Sequence, residues 1–441
     1  MALGSAIGTG LFLGSGLAVG AAGPGVIVSY VLAAAIAMLL SAALTEMTVA
    51  NPTAGSFGVY AGHFLSPFAG YAVRMSYWLM QVVATGGHMV ASSIYMRFWF
   101  PDVPAAVWIV LFAALLVYLN SRDVATLGDV EYWVSLLKVG MIVVFATLSA
   151  GLLIGWSGAS PGLANYRAHG GFFPGGFWGV WLGVCFALYS FIGVEVVAVT
   201  SGEAADPERT IPQAMRRMVL SLSALYITTI ALLVGVIPWP DLTINESPFV
   251  TVLGQIGIPL AATIMNAVVL TAALSSANAN LYLITRTAFS LARAGYIPAR
   301  LGVLDARRVP LNALLVSSLG LGAAVVVQTF WPESAYQWFF AVALFGAMFV
   351  WLIAFVTHLA FRRHWRRTTG QPPFTVRGAR GASVAGIVLI TAALVSTWWA
   401  PGLGATLPAG AAWLLLLGAG YKGWRMGDGG LRRGEDRGCG G

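Results

Sequence analysis

The chain has 441 residues, of which 58% are hydrophobic and only 9% charged, with a mean hydropathy of +0.81. A water-soluble chain carries about 25% charged residues, so this composition excludes an ordinary soluble protein and leaves no room for a second, soluble domain. The formal charge of +8 then reads as a signal of membrane orientation, and nucleic acid is not an expected partner.

A membrane-crossing helix needs about 20 apolar residues. Twelve such stretches are expected, at residues 2–22, 25–49, 67–98, 104–120, 129–155, 177–202, 216–238, 258–292, 310–330, 335–361, 381–399 and 404–425. The first contains Gly4, Gly8, Gly10, Gly14 and Gly16 within thirteen residues. Glycine disfavours a helix interior, and broken backbone in lipid is tolerated only where it lines a cavity. Gly14 and Gly16 read as close-packing positions, whereas Gly8-Thr9-Gly10 reads as a break at a binding site. No cleavable signal is expected, because no charged segment precedes the first span.

Between the second and third spans, residues 51–60 combine turn chemistry with apolar side chains, as a short interfacial helix would. Glu46 and Glu203 lie near span ends, where gating, capping and solvated roles compete. His88 in the third span suits either a core histidine or a ligand to the cavity. Lys138 lies ten residues into the fifth span, about 15 Å deep, where snorkelling is difficult. It is either a proton carrier, alternating between charged and neutral forms, or a permanent structural cation.

The sixth span carries a second small and polar patch, Tyr189-Ser190-Phe191-Ile192-Gly193, followed by Glu195. Glu195 could face a substrate ammonium or hold a proton; its structural alternative is a carboxylate bonded within the bundle. A break offering backbone N–H groups in the first span and an acid in the sixth suits a zwitterion such as an amino acid. Because the two breaks are five spans apart, spans 1–5 and 6–10 would be inverted relative to each other. Residues 203–212 and 293–298 are expected to form further short interfacial helices. On the eighth span, Ser275, Ser276, Asn278 and Asn280 could serve the cavity or simply bond between helices. Residues 362–380 are basic and suited to anionic headgroups. Residues 427–441 are expected to be a disordered cytoplasmic tail.

With the N-terminus inside, only Arg97 and Arg167 fall on the outer side and Lys138 within a span, so both termini are expected in the cytoplasm. Cys185 and Cys439 form no disulfide framework. No metal site, nucleotide site or catalytic nucleophile is expected, no cofactor is implied and the chain does not read as an enzyme.

Several ordered motifs together resemble the amino acid–polyamine–organocation superfamily, in its bacterial amino acid transporter branch. They are Gly4 to Gly16 with Ala22-Gly23-Pro24-Gly25, Glu46-Met47 with Pro52 and Gly55-Ser56-Phe57, and Glu131, Trp133 and Leu137-Lys138-Val139. Gly193-Val194-Glu195, Gly202-Glu203-Ala204-Ala205-Asp206-Pro207 and Ile211-Pro212-Gln213-Ala214 follow. Asn280-Leu281-Tyr282, Thr285-Arg286, Gly295, Pro298 and Val309-Pro310 complete the series.

The resemblance implies an all-α membrane protein of 12 transmembrane helices. Its core would be a 5+5 inverted repeat of the leucine-transporter type, with helices 1 and 6 discontinuous. The domain would cover 1–426, with repeat 1 at about 1–155, repeat 2 at about 177–361 and helices 11 and 12 at about 381–425. It implies that Ala6, Ile7, Gly8, Thr9 and Gly10 bind the substrate carboxylate, and that Tyr189, Ser190, Gly193 and Glu195 serve its amine. Lys138 would replace a sodium ion beside Ser275 and Ser276, implying proton coupling. Many relatives carry Ala-Glu where this chain has Gly87-His88, which argues against a cationic substrate. The expectation is a permease in the cytoplasmic membrane importing a neutral amino acid by proton symport with alternating access; the alternatives are an amino acid or amine exchanger and a non-transporting amino acid sensor.

Overall fold

The structure is a computed structural model, and it describes residues 7–53, 55–122, 127–156, 162–199, 206–242, 246–255, 260–305, 308–368, 370 and 372–427. Ala6, Glu203 and the expected tail from 428 to 441 lie outside the described residues. Regular structure among those described is helical, without strands.

In chain order the helices are α1 (Thr9–Phe12), α2 (Gly14–Ala22), α3 (Val26–Ala50), α4 (Ser56–Phe64), α5 (Pro67–Met96) and α6 (Ala105–Asn120). Then come α7 (Leu127–Leu153), α8 (Gly176–Ser190), α9 (Val196–Val199), α10 (Pro207–Val236), α11 (Pro248–Gln255) and α12 (Ala261–Arg293). The last are α13 (Leu311–Ser317), α14 (Leu319–Phe330), α15 (Ala335–Thr368), α16 (Ala379–Ser396) and α17 (Thr406–Gly427).

Among the described residues, seven segments are long and apolar enough to cross a membrane: Gly14–Ala50, Tyr132–Leu153, Pro207–Val236, Ala261–Arg293, Leu311–Phe330, Ala335–Thr368 and Ala379–Ser396. Ala105–Asn120 and Gly176–Ser190 are apolar but shorter. On α7, Trp133, Leu136 and Val143 are exposed. A belt of that kind is a liability in water and a natural face toward acyl chains.

Three local features depart from the expected stretches. Residues 207–212 are no separate interfacial helix; they are the first turns of α10, which Pro207 can start because its missing N–H needs no partner there. The ninth stretch divides at Ser318, whose hydroxyl donates to the Leu314 carbonyl at 2.8 Å. The first is interrupted again at Leu13, between α1 and α2, where Ser247 Oγ donates to the Phe12 carbonyl at 2.7 Å.

The core is organised around α5, which packs on α15 and α12, and around α3, which packs on α10 and α8. Gly86 lets α5 approach closely: a Cβ there would overlap Phe339 and the Gly320 carbonyl. Both α1 and α2 lie against α8, and α1 also touches α12. The interrupted helices are thereby brought face to face, inside a shell of continuous ones.

Candidate functional site

Each break is built by its local sequence. Gly8 is extended (φ −127°, ψ −156°), and α1 starts at the next residue. Gly10 then abuts the end of α8: a Cβ would come within 2.9 Å of Tyr189 Cδ1 and 3.1 Å of Ser190 Cα. Only a residue without a side chain permits that approach. The second break runs from Phe191 to Glu195, between α8 and α9, and Gly193 takes φ +106° within it. That conformation is open to glycine and strained for other residues.

The two breaks enclose a cavity of about 230 Å3. Gly8, Gly10, Tyr189, Ser190, Gly193, His88 and Asn280, all singled out from sequence, line it together. Gln81 and Ala84 of α5 and Asn280 and Leu283 of α12 contribute to its other walls. Gln81, Ala84 and His88 follow at intervals of three and four, the spacing of one helical face. That periodicity, started from His88, was the signal that could have located Gln81.

His88 is pinned to the first break. Its Nδ1 shares a hydrogen with Thr9 Oγ1 at 2.9 Å, and its ring lies over Gly8. The Thr9 carbonyl accepts from Tyr336 Oη at 3.2 Å. Ser190 Oγ pairs with Tyr30 Oη at 3.1 Å, and the Tyr189 ring stacks on Phe340 with centroids 4.0 Å apart. Tyr336 and Phe340 had no distinguishing mark within the apolar run of α15.

Lys138 is fully buried behind the first break. Its Nζ donates to Ser276 Oγ at 3.4 Å, and that hydroxyl donates to the Ile7 carbonyl at 3.4 Å. The chain from α7 through α12 to residue 7 thus ends on the strand of backbone that enters the cavity. Ser275 is only half-buried, and Asn278 turns to Asn120, whose Nδ2 donates to it at 2.8 Å.

Glu195 is buried but does not line the cavity; its Oε2 accepts from the Gly193 amide at 3.1 Å. The carboxylate therefore braces the turn of the second break. Glu46 is also fully buried. It accepts from His358 Nε2 at 2.8 Å, from Arg362 Nε at 2.8 Å and from the Val376 amide at 2.6 Å. His358 Nδ1 in turn meets Ser383 Oγ at 2.7 Å, so one carboxylate ties α3 to α15 and to the start of α16.

A second cavity, of about 250 Å3, is lined by Phe57, Arg74, Tyr77, Val199, Arg286 and again Leu283. Leu283 borders both spaces, and Gln81 Nε2 of the first donates to Tyr77 Oη of the second at 3.4 Å.

Residues 1–422 match the sequence profile of the amino acid permease family. The chain is 34% identical to the aromatic amino acid transport protein AroP of Escherichia coli, over 96% of its own length and 92% of that protein's. It is 37% identical to a putative histidine permease of Bacillus subtilis, over 84% and 79% of the two lengths. An uncharacterized amino acid permease of the same organism, YtnA, is 35% identical over 82% and 79%.

Proposed function

Since the chain belongs to the amino acid permease family, a family of membrane transporters and not of enzymes, we propose that it imports a neutral amino acid by alternating access and proton symport. The observation that carries this reading is the cavity between two helix breaks, with glycine backbone on one side and a buried lysine held behind it. Backbone N–H groups at Gly8 to Gly10 hold the substrate carboxylate. The end of α8, from Tyr189 to Gly193, receives the ammonium on carbonyl oxygens at the negative end of the helix. Glu195 sets the shape of that end and adds negative potential behind it.

Lys138 serves as the proton carrier in this reading. When charged it holds Ser276 and the Ile7 carbonyl, and the first break keeps its binding shape. When neutral it loosens that hold and the substrate is released. Transport would run through twelve helices in a single domain over 1–426, with repeat 1 at about 1–155 inverted relative to repeat 2 at about 177–361, and with both termini in the cytoplasm. Support comes from the parallel places of the two broken helices, α1–α2 and α8–α9, each beside a long continuous helix, α3 and α10.

The substrate side chain projects toward Gln81, Ala84 and His88. The names of these relatives put aromatic amino acids and histidine first among the candidates.

The test is a thermal-shift screen of the purified protein against the twenty amino acids, GABA and ethanolamine, since ligands of the native state raise stability. Hits are then assayed for uptake into proteoliposomes under imposed gradients. Accumulation driven by an inward proton gradient is expected. Accumulation that follows sodium overturns the role of Lys138, and counterflow indifferent to pH identifies an exchanger instead.

A further inference from the structure

A groove of about 510 Å3 opens between the end of α15 and the start of α16. Arg363, Arg366, Arg367 and Arg380 line it and are exposed, beside the apolar side chains of Leu359 and Val384. Arg362 reaches the same groove, but its guanidinium is already committed to Glu46. No Asp or Glu occurs between Glu333 and Asp428, so this part of the chain offers the other four no acid of its own.

Two of these arginines have a local explanation. Arg366 and Arg367 sit in the last turn of α15, where positive charge offsets the helix dipole. Arg363 and Arg380 have none. Moreover, α16 opens at Ala379 without a side-chain cap, adding the positive potential of its first N–H groups at the same rim. Arginine forks match phosphate oxygens in pairs. The exposed Val384 and the lipid-facing length of α16 supply an apolar wall below the charges.

We propose that this groove binds the headgroup of an anionic phospholipid, with the phosphate on Arg363, Arg366, Arg367 and Arg380 and the acyl chains along α16. A soluble phosphate would satisfy the arginines but leave the apolar wall without a use, which favours the lipid. Through Arg362 the bound headgroup abuts the Glu46 cluster, and so stiffens the junction of α3, α15 and α16. This assignment does not depend on which amino acid is carried.

The experiment uses the full-length protein in neutral detergent, melted with dioctanoyl-phosphatidylglycerol, dioctanoyl-phosphatidylcholine or glycerol phosphate. The anionic lipid should raise the melting temperature by ~2 °C or more and the other two should not. The combined variant Arg363→Gln, Arg366→Gln, Arg367→Gln should lose most of that shift, and the corresponding lysine variant should keep part of it. An equal shift with glycerol phosphate would reassign the groove to a soluble anion and overturn the proposal, as would an undiminished shift in the glutamine variant. Should the triple variant not fold, the wild type decides. Its lipid-induced shift should vanish in about 0.5 M NaCl, and a shift that persists there overturns the site equally.

Discussion

Lys138 Nζ lies 3.4 Å from Ser276 Oγ, and through that one hydroxyl the fifth predicted span is joined to the backbone at Ile7. A buried amine in the middle of a membrane protein is costly to keep, so its attachment to the entrance of the binding break is the natural place to look for energy coupling. Lys138→Ala should abolish accumulation against a gradient in proteoliposomes, while substrate-induced thermal stabilisation survives in weakened form. Accumulation at the wild-type level would remove the lysine from the mechanism.

Gly10→Ala should reduce uptake tenfold or more, because its Cβ would meet both the Tyr189 ring and the Ser190 backbone. Overpacking of this kind costs about 1–3 kcal/mol, and here it also displaces the second break. Gly8→Ala should be milder, its nearest neighbour being the His88 ring at 3.2 Å. Gly20→Ala, with nothing within 4 Å of the added carbon, is the control and should transport normally. Initial uptake rates for the three variants, normalised to protein, make the comparison.

At the second break, Glu195→Gln keeps an acceptor for the Gly193 amide and should fold with a thermal stability close to wild type. Gly193→Ala forces a side chain into φ +106° and should cost about 1–2 kcal/mol in addition to most of the transport. Thermal melts and uptake on both variants separate the two effects. If Glu195→Gln binds substrate as tightly as wild type, its carboxylate acts by bracing the break and its charge is dispensable.

Glu46→Gln should be among the most damaging single changes outside the cavity. It leaves the Arg362 guanidinium and His358 facing a neutral amide, and because Arg362 also reaches the open groove the cost falls below the about 3–5 kcal/mol of a fully buried pair. The expected readout is a large fall in melting temperature and in monodisperse yield. Retained stability with altered transport direction would mark the cluster as a gate.

Much of the site was legible because lipid makes polarity rare. His88 and Lys138 stood out as ionisable residues in apolar runs, and Gly8, Gly10 and Gly193 as breaks in them. The structure adds what single-chain patterns do not carry. Glu46 gives no hint in sequence of His358 and Arg362, which lie more than 300 residues downstream. Tyr336 and Phe340 look like any aromatics in a buried helix, yet they hold Thr9 and Tyr189. Glu195 was legible as a buried acid but not in its orientation. A helical wheel cannot say that the carboxylate folds back onto an amide two residues earlier. The interruptions at Leu13 and Ser318 coincide with the Ser247 and Ser318 hydroxyls drawing on helix carbonyls, contacts that the apolar pattern does not mark.

Leu283 borders both cavities, with the Gln81–Tyr77 contact beside it. A side chain shared in this way is placed to work as a valve leaf. Rotation of that leucine, with the weak Gln81–Tyr77 contact parted, is the change that would open one space toward the other. Trimming it to alanine should raise leakage of substrate through the protein, and because Leu283 also lines the first cavity, affinity should shift with it.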